Sequence, residues 1–570
     1  MNATETLRQA FQLFEQERYA DAEQALFALL ESDPANSQAL HLLGSAAAAQ
    51  GRFEEAALAL QRALRVLPAG AREALAVRYK LGRAFYELGR FEDAFLLYRE
   101  LIENGQRLPE LFIAAAAALQ ALSPSGKNDG QAIALLDEAL QLQPDAADTW
   151  HRKALLQERG KAWQAARASM HRALQLDGRQ AVYWLDAGLV EHALGQFEEA
   201  LKFYDQALIL DPGHADAHVS RGTSLARLRQ YDEAIDSYRR ALALHPDDAD
   251  AKLNLALSLL VLGRLREAWP LYEWRWEGRG ADPYRHAGIP AWNGASVLLG
   301  KRILLWAEQG HGDTIQFSRY VQQILEAGAQ VVLEAPAALL PLMAGLPPSP
   351  QLQLAAVGEP LPEVDYQLPL MSLPLVCNTA YDAIPAGAPY LRAEERRRAA
   401  WAARIDAIAP RAQKRLRVGI VCSGNPGNAN DGRRSIPLRQ FAPLAQARGD
   451  LAFFVVQPDL READAAWLAG QAGWHELGEG IEDFGDTAAA LSCMDLLVTV
   501  DTAAAHLAGA LGLPVWIALP FAPDWRWFLN RHDSPWYPTA RLFRQQRAGQ
   551  WDDAILAIKA ALAVSAPAPE

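Results

Sequence analysis

The chain is poor in cysteine and has no long uncharged hydrophobic run, and these two absences exclude broad classes of protein. It has 3 cysteines in 570 residues, Cys377, Cys422 and Cys493, and none forms a C-x-x-C pair. A disulfide framework and a structural zinc site are therefore not expected, which fits a reducing cytoplasm. No apolar run reaches about 18 residues without a charge, so we expect no transmembrane helix.

Positive charge is also scarce relative to negative charge. The sequence has 55 Lys and Arg residues against 68 Asp and Glu residues, which gives a formal net charge of −13. Nucleic acid is disfavoured as the main partner, because phosphate contacts need a basic stripe. The amino-terminal segment is amphipathic and contains acids, so we expect no signal peptide there. These features predict a cytoplasmic protein.

A repeat of 34 residues is the strongest positive signal in the sequence. Tryptophans, prolines and alanines recur at this step: Trp150 and Trp184, Pro212 and Pro246, and Ala166, Ala200, Ala234 and Ala268. The pattern resembles the tetratricopeptide repeat, in which small residues let two helices approach closely. The resemblance implies about eight repeats over residues 1–278, beginning near residues 3, 37, 75, 109, 147, 181, 215 and 249. A stack of such repeats has a concave surface that holds a protein or peptide.

After a Gly- and Pro-rich connector at residues 279–300, short apolar strands alternate with helices. In residues 301–409 the predicted strands are KRILLWAEQ, QVVLEAP and QLQLAAV. In residues 410–570 they are RLRVGIVCSGN, LAFFVVQ, DLLVTV and PVWIALP. This alternation predicts parallel, doubly wound sheets. Two such series predict two Rossmann-like lobes, with a ligand in the crevice at the carboxyl ends of the strands.

The loop from Gln309 to Thr314 follows the first strand of the first lobe. Its glycines allow the backbone to approach a ligand closely. We expect Asp313 to face the crevice, where it would deprotonate an acceptor hydroxyl or stabilise a developing positive charge. The alternative is that Asp313 and Thr314 only cap the helix that follows.

The segment from Asp501 to His506 follows the strand DLLVTV and opens a helix. Free N–H groups and the helix dipole make such a terminus a phosphate site, to which Thr502 would donate. His506 lies about one turn further along, near the same crevice. The alternative makes Asp501 or Thr502 an N-cap and His506 a histidine of the core.

Two further loops contain candidate binding residues. The Gly- and Asn-rich loop from Ser423 to Ser435 ends in Arg433 and Arg434, whose guanidinium groups suit phosphate oxygens. The alternative is a solvated loop. The aromatic run from Phe521 to Trp527 either stacks on a sugar or base ring or packs against another lobe.

These elements resemble, in the same order, one known family. QGHGDTIQFSRY looks like the glycine-aspartate loop of the bacterial heptosyltransferases, and VTVDTAAAHLAGALGLPVWIAL looks like their donor-binding D-T-x-x-x-H segment. CSGNPGNANDGRRSIPL and LPFAPDWRWFLNRHDSPWYPTARLFRQ are similar to segments of bacterial proteins that join tetratricopeptide repeats to a GT-B glycosyltransferase domain. The resemblance covers essentially the whole chain. It implies an α-helical solenoid followed by a GT-B pair of Rossmann-like lobes.

The resemblance also implies a function and a set of site residues. It implies a metal-independent glycosyltransferase that uses a nucleotide-sugar as co-substrate and no other cofactor. Asp313 would be the base, and His311 is a second catalytic candidate. The candidate donor-binding residues are Gly312, Ser423, Asn425, Arg433, Arg434, Asp501, Thr502, Ala503, His506 and Trp525. The acceptor would be a Ser or Thr of a protein held by the repeats, and repeat-bearing relatives include transferases that modify flagellin.

The sequence departs from the family pattern at two places. Ala503 replaces the usual glycine after the Asp-Thr pair. The repeats also lack the asparagine ladder of the O-linked N-acetylglucosamine transferases, so a narrower protein acceptor is expected; the equivalent positions are Arg152, Asp186, Ser220 and Asn254. The second hypothesis is a non-catalytic tetratricopeptide adaptor with a degenerate GT-B domain. Ala503 favours the adaptor, whereas the intact candidate site residues favour the enzyme.

Overall fold

The computed structural model describes residues 3–68, 71–278, 280–413, 415–428 and 430–564. Six short stretches lie outside this range: residues 1–2 and 69–70 of the predicted repeats, 279 of the connector, 429 of the Gly- and Asn-rich loop, and 414 and 565–570 of the second lobe. The chain divides into two compact units, Met1–Ser224 and Leu225–Glu570. The division falls within the seventh predicted repeat, so the last repeat helices belong to the same unit as the sheets.

The amino-terminal half consists of helix pairs, as the 34-residue repeat predicts. In the described residues they are α1 (Ala3–Glu15), α2 (Tyr19–Ser32), α3 (Ser37–Ala49), α4 (Phe53–Val66), α5 (Glu73–Glu87), α6 (Phe91–Glu103), α7 (Pro109–Leu122), α8 (Asp129–Leu142), α9 (Ala147–Arg159), α10 (Trp163–Leu176), α11 (Ala181–Ala193), α12 (Phe197–Leu210), α13 (Ala215–Arg227), α14 (Tyr231–Leu244), α15 (Ala249–Val261) and α16 (Leu265–Tyr272). The pairs begin at the predicted residues except the third, which begins at Glu73.

Close packing within each pair explains the small residues of the repeat. A Cβ atom on Gly44 would lie 2.7 Å from Leu60 Cγ, and one on Gly82 would lie 2.6 Å from Tyr98 Cε1. The first helix of a pair can therefore approach the second only where it carries no side chain. The repeating alanines Ala166 and Ala200 are fully buried for the same reason.

The carboxy-terminal part has ten strands in the described residues. They are β1 (Arg302–Trp306), β2 (Gln330–Ala335), β3 (Leu352–Ala356), β4 (Tyr366–Pro369), β5 (Leu416–Val421), β6 (Leu451–Val455), β7 (Trp474–Glu476), β8 (Leu496–Val500), β9 (Val515–Leu519) and β10 (Ala540–Arg544). The seven strands predicted from sequence are present. The other three, β4, β7 and β10, are short or alternate with charged residues, so they lack the continuous apolar run that marks a buried parallel strand.

The strands form two parallel sheets. The first has four strands in the order β3-β2-β1-β4, and the second has six in the order β10-β9-β8-β5-β6-β7. All pairings are parallel. Numbered within the second sheet alone, the order is 3-2-1-4-5-6, which is that of the doubly wound nucleotide-binding fold. The order reverses between β5 and β8 in the second sheet and between β1 and β4 in the first.

The helices that accompany the sheets carry most of the candidate residues. They are α17 (His311–Phe317), α18 (Val321–Glu326), α19 (Leu340–Met343), α20 (Leu373–Val376), α21 (Glu395–Ile408), α22 (Asp431–Arg434), α23 (Glu462–Leu468), α24 (Phe484–Leu491), α25 (Ala503–Ala510) and α26 (Asp552–Val564). The segment PLRQFAPLAQAR lies between two apolar strands, and the alternation of strands with helices predicts an α-helix there; it is instead a 3₁₀ helix, Leu438–Gln446. Pro443 lies inside it and lacks the N–H that an α-helix needs.

The aromatic end of the last repeat packs on both sheet regions within the second unit. Trp269 Nε1–H donates to the backbone oxygen of Thr379 at 2.9 Å. The ring of Trp269 also lies 5.7 Å from that of Trp525, and the ring of Tyr272 lies 6.4 Å from it. Because these rings are buried, the last repeat presents no open apolar end on this side.

Candidate functional site

The predicted loops lie at the carboxyl ends of parallel strands, where the strand order reverses. The loop before α17 follows β1, and the segment Asp501–Thr502 joins β8 to α25. The Gly- and Asn-rich loop follows β5, which neighbours β8. In doubly wound sheets, ligands bind in the crevice at such reversal points. The strand order therefore places the three candidate loops, which follow β1, β5 and β8, at the positions where such sheets bind ligands.

The amino-terminal turns of α17 and α25 pack directly against each other. A Cβ atom on Gly312 would lie 2.9 Å from His506 Cδ2 and 3.3 Å from Ala503 Cα. The backbone of Gly312 therefore contacts both Ala503 and His506. A larger residue at position 312 would push the two helices apart. The contact brings the two sheet regions together at this point.

Asp313 has both carboxylate oxygens engaged. Its Oδ1 accepts from Arg526 Nη2 at 2.5 Å, and its Oδ2 accepts the backbone N–H of Gly310 at 3.0 Å. The second bond is the helix-capping alternative that the sequence left open. The side chain is 20% exposed. Burial raises the pKa of Asp313 above 3.8, although Arg526 opposes that rise.

Arg526 is the main partner of Asp313, and it was not among the candidate residues expected from the sequence. Its Nη1 donates to Asp524 Oδ1 at 2.9 Å and its Nε donates to Gln316 Oε1 at 2.8 Å. The guanidinium stacks over the ring of Trp525 at 4.3 Å. The sequence did contain a signal for this role, since Arg526 stands between Trp525 and Trp527. An arginine that is buried with its aromatic neighbours requires a carboxylate partner.

The start of α25 is largely buried in this structure. Thr502 occupies the N-cap position without a side-chain capping bond, and its Oγ1 lies 3.3 Å from Thr499 Oγ1. Asp501 Oδ1 accepts from Trp527 Nε1–H at 2.8 Å. Burial, followed by the nearby Asp524 charge, raises the pKa of Asp501 to about 6. Asp501 and Thr502 are each 8% exposed.

His506 is a buried histidine of the core, which is the alternative that the sequence left open. Its Nδ1 lies 2.9 Å from the hydroxyl oxygen of Tyr537, and its ring stacks on Trp527 at 5.2 Å. Burial and the neighbouring arginines hold its pKa well below 6.5. The ring is therefore neutral at physiological pH.

Arg434 links the loop after β5 to the loop after β8. Its Nη1 donates to the backbone oxygen of Asp501 at 3.0 Å. A Cβ atom on Gly424 would lie 2.7 Å from Arg434 Nη2, so the glycine makes room for the guanidinium. The Nε atom of Arg434 is buried and has no hydrogen-bond partner among the described residues. Arg433 is exposed.

The remaining candidates of this loop have local partners. Gln457 Nε2 donates to Ser423 Oγ at 2.6 Å, and Ser423 is 5% exposed. Asn425 is exposed, and its Oδ1 accepts the backbone N–H of Gly427 at 2.9 Å. Both contacts fix the local loop structure.

His311 and Trp525 lie in different environments. His311 is exposed at the surface, and its ring meets that of Phe484 edge-on at 5.0 Å. The part of the ring that is covered loses hydration, which lowers the pKa of His311. Trp525 is 3% exposed and packs against the rings of Phe317 and Trp536 as well as those of the last repeat. The structure thus corrects the donor-stacking role of Trp525 and favours the packing alternative, because its faces are covered by protein.

The described ranges contain neither a metal-ligand cluster nor a membrane-spanning helix. No group of three or more His, Cys, Asp or Glu side chains there could hold a metal ion. None of the helices in that part of the chain has the length and apolarity needed to cross a bilayer. Cys377, Cys422 and Cys493 are free thiols.

We expect Gly509→Ala to destabilise the site by about 1–3 kcal/mol, because overpacking a rigid core displaces its neighbours. A Cβ atom there would overlap the ring of Tyr537, which is fully buried and holds His506. Thermal melting measures the loss. The control is Gly449→Ala, where a Cβ atom meets nothing within 4 Å. Equal melting temperatures for both variants would show that the Tyr537 ring adapts freely.

Comparisons with known proteins identify the helical repeats. Models described as tetratricopeptide repeat match residues 7–71, 67–109 and 219–277, and another such model matches residues 181–214. Protein FlbA of Caulobacter vibrioides is 28% identical over 326 residues, which is 53% of this chain and 53% of that protein. The chain thus spans about half the length of this curated relative.

Solved structures of repeat proteins are also similar to part of the chain. The C-terminal part of a repeat-containing protein from Cytophaga hutchinsonii has a TM-score of 0.38 and 15% identity, with 44% of this chain and 99% of that one covered. A tetratricopeptide repeat protein from Parabacteroides merdae has a TM-score of 0.33 and 17% identity, with 45% and 98% covered. The model matches show that this chain contains tetratricopeptide repeats, which are protein-interaction modules.

Proposed function

We propose that the chain is a glycosyltransferase of GT-B architecture that moves a sugar from a nucleotide-sugar to a Ser or Thr of a protein. One observation carries the proposal: Asp313 and the start of α25 lie at strand-order reversals of two parallel sheets and meet through Gly312. Arg526 and Arg434 lie at the same place. A carboxylate, a helix amino terminus and two guanidinium groups are the parts that metal-independent sugar transfer needs.

The donor phosphates would bind where α25 begins. The backbone N–H groups of Ala503 and Ala504 lie in its first turn, and the helix dipole favours an anion there. Arg434 would supply charge from the neighbouring loop, since its Nε has no hydrogen-bond partner among the described residues. The arginines would stabilise the negative charge that develops on the leaving phosphate.

Asp313 would be the general base. Burial raises the pKa of its carboxyl group, which makes the ionised form a stronger base. Because Arg526 holds Oδ1, the base is blocked until that ion pair opens. We propose that the donor phosphates attract Arg526 and release Asp313. Asp313 then takes the acceptor hydroxyl proton, the acceptor oxygen bonds to the anomeric carbon, and the nucleotide leaves with the electron pair of the broken C–O bond.

The acceptor would be a protein that the tetratricopeptide repeats hold, and flagellin is the candidate that the family resemblance implies. The proposed setting is the cytoplasm, where nucleotide-sugars are made. Because the repeats lack an asparagine ladder, we propose that they recognise side chains of a particular acceptor rather than any extended backbone.

The second candidate function is an adaptor that binds protein and transfers no sugar. Two observations favour it. Both oxygens of Asp313 are already bonded, and Thr502 and His506 are 8% and 5% exposed. A degenerate domain would keep such closed packing permanently, whereas an enzyme must open it to admit a donor.

Nucleotide binding separates the two candidates. We expect one of UDP, ADP, GDP or CMP to raise the melting temperature, since a ligand at about 100 times its Kd adds about 2.7 kcal/mol of stability. Arg434→Gln should remove this rise, and the exposed Arg439→Gln should keep it. Intact-mass analysis of co-expressed flagellin then tests transfer. If no nucleotide shifts the melting temperature at millimolar concentration, the adaptor is the better account.

A further inference from the structure

A groove crosses the first helices of the first three helix pairs, within the first compact unit. It has a volume of about 450 Å³ and is lined by the first helix of each pair, α1, α3 and α5. Its residues include Leu7, Phe11 and Phe14 from α1, Leu42 from α3 and Lys80 from α5. The groove therefore has apolar and charged parts contributed by different repeats.

The apolar part of the groove is open to solvent. Phe11 is 50% exposed, although an aromatic ring of this size normally gains from burial. Leu7 and Phe14 lie beside it on the same helix face, because residues three and four apart on a helix are neighbours. This part of the groove is therefore an exposed apolar surface.

The charged part of the groove contains two cations, Lys80 and Arg8, of which only Arg8 forms an ion pair among the described residues. Lys80 Nζ donates to Ser45 Oγ at 2.7 Å, and no carboxylate among the described residues forms an ion pair with it. Burial and the nearby Arg83 lower the pKa of Lys80. Arg8 is the second cation, and it pairs with Glu5 Oε1 at 2.7 Å, although Glu5 itself is not part of the lining. Burial also lowers the pKa of His41 to about 4, so His41 adds no charge.

We propose that this groove binds an acidic peptide segment of a protein partner, with a large apolar side chain on Phe11 and a carboxylate on Lys80. Lys80 is half-buried and forms no ion pair with a carboxylate of the described residues, so an anionic ligand would gain a charge-assisted hydrogen bond there. The chain as a whole has a net charge of −13, so a local positive groove selects acidic segments that the rest of the surface repels. The proposal concerns binding alone and does not require sugar transfer.

The test uses the full chain and two fluorescein-labelled peptides of about 12 residues, one built of alternating Leu and Glu and one of alternating Leu and Gln. We expect the Glu peptide to bind at least about tenfold more tightly, as a charge-assisted hydrogen bond predicts. Lys80→Gln should remove this preference, and Phe11→Ser should weaken the binding of both peptides.

Two substitutions in the same unit are matched controls. Phe27 is 53% exposed on α2, so Phe27→Ser makes the same change outside the groove. Lys127 is exposed and lies outside the groove, so Lys127→Gln controls for the loss of a lysine. Both should leave binding unchanged, and melting curves confirm folding. Equal affinity for both peptides, an unaltered preference in Lys80→Gln, or no saturable binding below about 1 mM would overturn the proposal. The outcome is independent of nucleotide binding, so it is distinguishable from a failure of the transferase proposal.

Discussion

Replacing Asp313 with asparagine is expected to lower sugar transfer and donor hydrolysis by about 100- to 10,000-fold, the range that a general base contributes. Asparagine has almost the same shape and keeps an oxygen for the Gly310 N–H, but it cannot accept a proton. The rate is measured as nucleotide release and as acceptor mass gain, once the nucleotide screen has identified the donor class.

The matched control for this change is Asp382→Asn. Asp382 is exposed and follows β4, the last strand of the first sheet, in the chain. That variant should keep full activity. The Asp313→Asn protein should still be stabilised by the same nucleotide, which separates a chemical defect from misfolding. If its turnover equals that of the wild type while both proteins bind nucleotide, Asp313 is not the base.

Replacing Arg526 with methionine is expected to lower the free energy of unfolding by about 3–5 kcal/mol, because it leaves a buried carboxylate without its partner. The Arg526 side chain is 8% exposed and pairs with both Asp313 and Asp524. Urea unfolding followed by tryptophan fluorescence measures the change. Arg398→Met is the control, because it breaks an exposed ion pair with Glu395 and should change little.

The stability loss of Arg526→Met should depend on pH. Without the arginine, the folded-state pKa of Asp313 rises further above its unfolded value. A carboxyl group with a raised folded pKa contributes stability below its unfolded pKa and loses it as pH rises. The deficit should therefore be larger at about pH 8 than at about pH 5. A deficit that is equal at both values would contradict the ion-pair account.

A double variant isolates the ion pair from the other contacts of Arg526. Asp313→Asn removes the buried charge, so adding it to Arg526→Met should cost less than the sum of the two single losses. Strict additivity would mean that Arg526 stabilises the fold through its other contacts rather than through Asp313; these are Asp524, Gln316 and Trp525. The same comparison tests whether Arg526 restrains the proposed base.

The sequence predicted the local elements well where one periodicity dominates. The helix pairs follow from small residues at a fixed step, and seven strands follow from continuous apolar runs. It failed where local patterning is weak or misleading. The strand β10 alternates charged and apolar residues, and the expected helix around Pro443 is a 3₁₀ helix because proline removes a backbone donor.

The sequence by itself determined the tetratricopeptide repeats, the run of apolar strands and the loops that follow them, because helix and strand periods are local properties of the chain. Only the tertiary structure decided which side chains meet. Arg526 is 213 residues from Asp313 in the chain, yet it neutralises that carboxylate, and Trp525 turned out to be a core residue rather than an open stacking surface. Contacts between side chains so far apart in the chain depend on how whole sheets and helices pack together. Local sequence patterns contain no information about that packing.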